Sequence, residues 1–236
     1  MRTFACVAMA ALAALAAPAS AGEADGWTEL IQGEKMEGWR QPTAEWQTVG
    51  DAGLDPANDK KLVGKPGAGI LLNGPNGRTR DLLSQQEFGD VEAHVEFMVS
   101  KGSNSGVYFM ARYEVQILDS WGQKNPTYTD CGGIYQRWDD KRRPQGYEGH
   151  APRVNASKAP GEWQTFDVLF RAPRFDADGK KVANAVFLKV VHNGQVVHEN
   201  VEVTGPTRAA TFGDEKPTGP LMFQGDHGPV AYRNLR

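Results

Sequence analysis

The chain has 236 residues, 26 of them Lys or Arg and 29 Asp or Glu, for a formal net charge of −3 at pH 7. No basic stripe is present to neutralise a row of phosphates, which excludes nucleic acid as a partner class. A chain of this size buries a full core without staples, and its two cysteines, Cys6 and Cys131, make no disulfide framework.

The first segment reads as a leader rather than as part of a fold. Arg2 supplies a minimal positive start, residues 7–17 form an uncharged apolar run, and Ala19-Ser20-Ala21 offers the small residues that a signal peptidase reads. A membrane anchor needs about 20 apolar residues; Pro18 cuts this run short, and no later run approaches that length. Cys6 leaves with the leader, so Cys131 has no intrachain partner. The expectation is a signal peptide over residues 1–21, a single domain over 22–236, and a secreted or periplasmic protein.

Beyond the leader, alternation at period 2 recurs and long 3.6-residue apolar patterns are nearly absent. Val91, Ala93, Val95, Phe97 and Val99 alternate with Glu92, His94, Glu96 and Met98. Residues 107–118 read as one long strand, or as two with a bend. Phe166, Val168 and Phe170 alternate with Thr165, Asp167 and Leu169. Residues 185–192 and 195–203 flank Asn193-Gly194, a dipeptide suited to the positive φ angles of a two-residue hairpin. Asp178-Gly179 marks a further turn, and residues 220–224 and 230–235 close the chain as strands. Many short strands, punctuated by 27 Gly and 14 Pro, predict an all-β fold: a two-sheet antiparallel β-sandwich or jelly roll. Residues 123–158 break the pattern. They are rich in Gly, Pro, Arg and Tyr, and read as one or two long loops around a short strand at 133–137; loops of that length are often functional.

Alternation places Arg112, Glu114 and Gln116 on one face and Tyr113, Val115 and Ile117 on the other. The second face is core. The first is either a polar groove or an Arg112–Glu114 ion pair on a solvated surface. Asp119, Trp121, Tyr135, Arg137 and Trp138 follow closely. Sugar sites combine a stacking aromatic with carboxylate, amide and guanidinium partners, so Trp121 and Trp138 are candidate platforms, with loop anchoring as the alternative for each. Near the C terminus, Gln224, Asp226 and His227 end a strand at a Gly-rich bend from which the imidazole could reach a groove. His94, His192 and His198 read as ordinary surface positions, and His150 stays open. Paired CxxC, HExxH, P-loop and GxSxG signals are missing. Cys131 lacks an activating base, and Asp176-Ala177-Asp178-Gly179 reads as a turn rather than a calcium loop. No metal site and no cofactor is indicated, although a divalent metal is compatible with the residues.

Several segments, taken in order, carry a resemblance: Gly26-Trp27-Thr28-Glu29-Leu30 with Gly38-Trp39-Arg40, Asn104-Ser105-Gly106, and Tyr113-Glu114-Val115-Gln116-Ile117-Leu118-Asp119. Gly133-Ile134-Tyr135, Gly161-Glu162-Trp163, Asn193-Gly194 and Thr204-Gly205-Pro206-Thr207 continue it, and residues 219–227 with Tyr232-Arg233-Asn234-Leu235 complete it. In order and spacing the chain resembles the bacterial 3-keto-disaccharide hydrolase domain family, long catalogued as a domain of unknown function. The resemblance implies a concanavalin A-like, laminin-G-like jelly roll with ligand on the concave sheet, and activity on a glycoside already oxidised at the sugar C3. An Arg/Pro-rich insert, residues 138–153, departs from the commonest pattern and bears on the substrate rather than the fold.

The chemistry of such a substrate follows from its ketone. A C3 ketone acidifies the C2 proton, so a base can remove it, the C1 substituent can leave as an alcohol, and water can add back to the enone. That requires a base, a cation or donor for the enolate oxygen, and an acid for the leaving group. Glu114 or His227 is the expected base, Arg112 or Arg137 the enolate partner, and Asp119 or His227 the acid. Gln116 and Gln224 position hydroxyls, with Tyr135, Trp121 and Trp138 completing the binding surface. The expected partner is an oligosaccharide or 3-keto-glycoside, with no nucleic acid and no membrane span. A retaining glycosidase wants two carboxylates about 5–5.5 Å apart, and the neighbours of Glu114 at that spacing are Arg112 and Gln116. The non-enzymatic alternative is a secreted carbohydrate-binding module, which the same fold supports.

Overall fold

The computed structural model describes residues 26–74 and 76–236, so the leader expected at 1–21 lies outside the described residues. Within them the chain forms β1 (Gln47–Asp55), β2 (Asn58–Leu72), β3 (Leu82–Phe88), β4 (Val91–Val99), β5 (Asn104–Phe109), β6 (Tyr113–Leu118), β7 (Arg137–Trp138) and β8 (Gly146–Tyr147). It continues with β9 (Gln164–Arg171), β10 (Arg174–Phe175), β11 (Lys181–Ala183), β12 (Ala185–His192), β13 (Gln195–Val203), β14 (Gly219–Phe223) and β15 (Val230–Arg233). Among the described residues no helix is long and apolar enough to cross a membrane.

Two sheets face each other. A seven-stranded sheet runs β1-β2-β15-β4-β9-β12-β13, and a four-stranded sheet runs β3-β14-β5-β6. All the pairings are antiparallel. The fold is an antiparallel β-sandwich of jelly-roll type. Its core is what the alternation predicts: Ala93, Val95, Phe97 and Val99 of β4, and Phe166, Val168 and Phe170 of β9, meet Val107, Phe109, Val115, Ile117 and Phe223 from the smaller sheet. Phe109 sits 5.1 Å from Phe170 and 5.4 Å from Phe187, ring centre to ring centre. Burying each such side chain stabilises the sandwich by about 1.5–3 kcal/mol, so the two sheets hold one register. Asn193 and Gly194 both take positive φ, at 49° and 79°, and close the β12–β13 hairpin.

Three local readings differ from the expectation. Residues 107–118 belong to two strands, as one alternative had it, but a tight hairpin turn joins them in place of a bend, because Met110 and Ala111 turn the chain with φ of 57° and 53°. Residues without a glycine's freedom pay about 1–2 kcal/mol each in that region, and nothing in the sequence advertises such a turn. The short strand expected at 133–137 is displaced: Ile134 makes only single bridges to Val115 and His150, and the strand, β7, begins at Arg137 and pairs with β8 in a small ribbon. His192 and His198 are buried, not on the surface. A register shift between Phe187 and Lys189 resets the alternation in β12, and His192 turns toward Phe166 and Phe97. Desolvation lowers both imidazoles to about 4. Cys131 is likewise buried and free, its thiol pushed up to about 12 by burial.

One buried side chain shapes the bend between β14 and β15. Asn73, fully buried, donates to the carbonyls of Gly225 (3.0 Å) and Gly228 (2.7 Å) and accepts from the Val230 N–H (2.9 Å). Ser103 Oγ donates to the Pro229 carbonyl at 2.7 Å, and Asp81 accepts from the Gly225 N–H at 3.0 Å. A bend without regular pairing is thereby held from three sides. Replacing Asn73 with Ala leaves the Gly228 carbonyl and the Val230 N–H without this partner, while the Gly225 carbonyl keeps the Thr79 N–H, and a stability loss of about 2–3 kcal/mol is expected. Urea unfolding checks this, as a lower midpoint at unchanged slope.

Candidate active site

The face of the four-stranded sheet turned away from the core carries a small apolar cluster around Tyr108, Ala111 and Met222 and, beside it, a group of polar side chains. Register sets Tyr108 opposite Glu114 and Gly106 opposite Gln116, with Met222 beside Tyr108. The Gln224 N–H donates to the Gly106 carbonyl at 2.9 Å, and on the other flank the Tyr135 N–H donates to the Glu114 carbonyl at 3.2 Å. Two rows of side chains therefore cross the sheet: Tyr135, Glu114, Tyr108 in one, and Gln116, Gly106, Gln224 in the next. They line a cavity of about 290 Å³ that is completed by Asn104, Arg208, Ala209 and His227. A cleft of about 380 Å³ near Trp27 and Arg236, at the sandwich edge, has no comparable grouping of acid, imidazole and buried amides.

Glu114 is 3% exposed. Desolvation raises its carboxyl to about 8; the Tyr108 hydroxyl opposes that shift by donating to it, and the charge of Asp81 adds to it. Room for the carboxyl comes from Gly106, since a Cβ there would stand 2.4 Å from Glu114 Oε1. Gln116 Oε1 is buried and, among the described residues, has no hydrogen-bond partner. A buried acceptor in that condition needs a donor from whatever enters the cavity. Asp81, partly buried, is also raised, by desolvation first. His227 Nδ1 is hydrogen-bonded to Asp226, and the ring is half-exposed at the cavity mouth.

Arg208 comes from the loop between β13 and β14. Its N–H donates to the Gln136 carbonyl at 2.8 Å, and its guanidinium stacks on Trp138 at 4.0 Å. The Tyr135 phenol is raised, chiefly by desolvation, while Arg208 acts in the opposite sense. Tyr135 also meets Tyr128 edge-on at 5.8 Å.

Of the residues singled out from sequence, Glu114, Gln116, Tyr135, Gln224 and His227 converge on the cavity. Arg112 does not. It lies in the tight turn rather than on a strand with Glu114, and its buried guanidinium donates to the Met110 carbonyl (2.8 Å), the Asp214 carbonyl (2.5 Å) and Asp214 Oδ1 (2.7 Å), 4.8 Å above Phe212. No Arg112–Glu114 ion pair exists; Arg112 fastens the loop that carries Arg208. Arg137 is tied to Glu148 and Thr204 and lies over Tyr147. Asp119 caps local backbone, accepting from the Gly102 N–H at 2.8 Å and the Trp121 N–H at 3.4 Å. Trp121 is 64% exposed at a loop tip. Trp138 backs Arg208 instead of lining the cavity. Asn104 and Tyr108 were within reach of sequence reading, since both alternate with Ser105 and Val107 on β5; Arg208 and Asp81 sit in loops with no periodic signal.

A model of the 3-keto-alpha-glucoside-1,2-lyase-like domain matches residues 26–236. The chain belongs to this family. A 3-keto-disaccharide hydrolase of Bacteroides thetaiotaomicron is 30% identical over 167 residues, 62% of this chain and 53% of that protein, so the chain spans about half the length of this curated relative. Among solved structures, a candidate glycosyl hydrolase of Parabacteroides distasonis superimposes with a TM-score of 0.62 at 25% identity, covering 88% of this chain and 81% of that one. A second from the same organism, at 15% identity and a TM-score of 0.50, covers 87% and 90% and speaks to the fold alone. Within the lyase-like family fold, the cavity on the smaller sheet is the carbohydrate-active candidate.

The state of Glu114 is measurable without any substrate. Its folded pKa of about 8 stands above the ordinary 4.5, so the folded chain holds a proton that the unfolded chain releases. Stability attributable to Glu114 therefore falls as pH rises from 4.5 and is lowest above about 8. The melting temperature of wild type relative to Glu114→Gln is expected to drop across that window, whereas a constant difference would show an ordinary carboxylate. Taking the difference cancels the opposite pH trend of the buried His192 and His198.

Proposed function

We propose that this chain removes the C1 substituent from 3-keto-glucosides by elimination followed by hydration, a net hydrolysis of the glycosidic bond. One observation supports this most: a buried carboxylic acid, neutral at pH 7, shares a cavity with an imidazole–carboxylate pair and a guanidinium. In this reading His227 is the base. Asp226 accepts from Nδ1–H, which leaves Nε2 free to take the C2 proton. As that C–H bond breaks, its electron pair moves toward C3, and the enolate oxygen that develops is met by Arg208. The C1–O bond then breaks, and Glu114 delivers its proton to the departing oxygen. Water adds at C1 of the enone and C2 recovers a proton, with His227 and Glu114 exchanging roles. Gln116, Gln224 and Asn104 hold the ring hydroxyls, and the bare Oε1 of Gln116 receives one of them as donor. A carbohydrate-binding module needs hydrogen-bonding groups but has no use for a carboxyl held neutral by burial. The family match and the Bacteroides relative's name agree with this choice of substrate. The leader-like residues 1–21 support action outside the cytoplasm.

Incubation with 3-keto-trehalose beside trehalose tests the reading: consumption of the oxidised sugar alone is expected, and binding without turnover would assign a binding module instead. Glu114→Gln and His227→Ala are each expected to lower kcat about 10²–10⁴-fold with the melting temperature preserved or raised. Unchanged turnover in both would remove these residues from the chemistry. Because Glu114 must be protonated to act as acid, wild-type kcat is expected to fall above about pH 8. A rate that climbs steadily through that pH would make Glu114 the base.

A further inference from the structure

A second cleft, about 630 Å³, opens in the insert that follows Tyr135. Tyr128, Trp138 and Tyr147 supply aromatic walls, and Gln136, at 8% exposed, is the most buried of its lining side chains. It adjoins the active-site cavity through two shared contacts. Tyr128 leans edge-on against Tyr135, and Trp138 carries the Arg208 guanidinium on its face. The successive residues Tyr135 and Gln136 line the cavity and the cleft respectively. Tyr135 and Gln136 are adjacent in sequence, so the backbone at 135–136 is part of the wall that the two hollows share.

Glycines let two of the lining side chains pack close against the backbone. Gly146 pairs with Trp138 across the β7–β8 ribbon, and a Cβ there would fall 1.8 Å from Gln136 Oε1. A Cβ on Gly149 would come 2.4 Å from the Tyr128 ring. The positions of the Gln136 amide and the Tyr128 ring therefore depend on two residues lacking side chains. Its chemistry is mixed: aromatic faces beside an amide, with Arg143 and Glu148 also in the lining. Apolar ring faces flanked by polar groups suit a hydroxylated ring, which has C–H faces and equatorial hydroxyls.

We infer that this cleft is the subsite for the second hexose of a 3-keto-disaccharide, the ring that departs as the alcohol. This rests on the proposed 3-keto-glycoside activity and adds to it a location and a preference for disaccharides over simple glucosides. On this inference residues 138–153 set the leaving-group specificity of this chain.

Calorimetric binding decides it. In the Glu114→Gln background, where the sugars persist, 3-keto-trehalose is expected to bind about tenfold tighter than methyl 3-keto-glucoside, a difference of about 1.4 kcal/mol. Adding Gln136→Leu, which removes the amide at similar volume, or Gly146→Ala, which drives the amide out of place, should collapse that ratio toward one. Equal affinities in the parent, or a tenfold ratio that survives both substitutions, overturns the inference. Turnover by wild type is scored separately. If no 3-keto sugar is consumed yet the ratio appears and collapses as stated, the subsite stands and the enzymatic reading falls; if the sugar is consumed without any ratio, the reverse holds.

Discussion

Every side chain in the cavity that comes from a strand is placed there by the packing of the opposite face. β5 and β6 bury Val107, Phe109, Tyr113, Val115 and Ile117 between the sheets, and period-2 geometry then leaves Asn104, Gly106, Tyr108, Glu114 and Gln116 on the outer face. A slip of one residue would carry Glu114 into an aromatic core and expose Val115. The hydrophobic effect thus fixes the position of groups that are themselves polar, and it does so with a precision that no hydrogen bond among them could supply.

Loops contribute the remainder, each tethered to that rigid sheet. The segment bearing Arg208 is bound to the β5–β6 turn: the Thr207 N–H donates to the Arg112 carbonyl at 2.8 Å, the Glu114 N–H donates to Thr207 Oγ1 at 3.2 Å, and Arg112 grips Asp214. The strained φ angles at Met110 and Ala111 bring Arg112 to where it makes those contacts, and the unfavourable backbone is offset by them. His227 hangs from a bend held by Asn73, Ser103 and Asp81. A carboxyl from the sheet meets an imidazole and a guanidinium from separate loops, and each loop has its own anchor.

Burial of Glu114 is a cost to folding. A neutral side chain of similar shape would avoid the desolvation, and Gly106 gives up its own side chain to make room for the carboxyl. Stability sacrificed at a site of function is a recurrent trade. Here it yields an acid that still carries its proton at pH 7, in contact with a tyrosine hydroxyl that steadies its ionised form.

The amino-acid sequence by itself determined the sandwich, the hairpin at Asn193-Gly194, and the alternation that sets Glu114 and Gln116 apart from Val115, because these follow from local periodicity and turn chemistry. It also carried Gln224, His227 and Tyr135 as candidates, through strand ends and residue types suited to sugars. Only the tertiary structure decided that Arg112 serves as an anchor while Arg208 and Asp81 reach the site region. Whether a guanidinium faces a cavity or a carboxylate depends on which loops come to lie beside it, and that is settled by long-range contacts such as Arg112 with Asp214, 102 residues apart. The buried His192 teaches the same lesson on a smaller scale: one register shift in β12 reverses which face a residue takes, and no periodic pattern in the sequence records it.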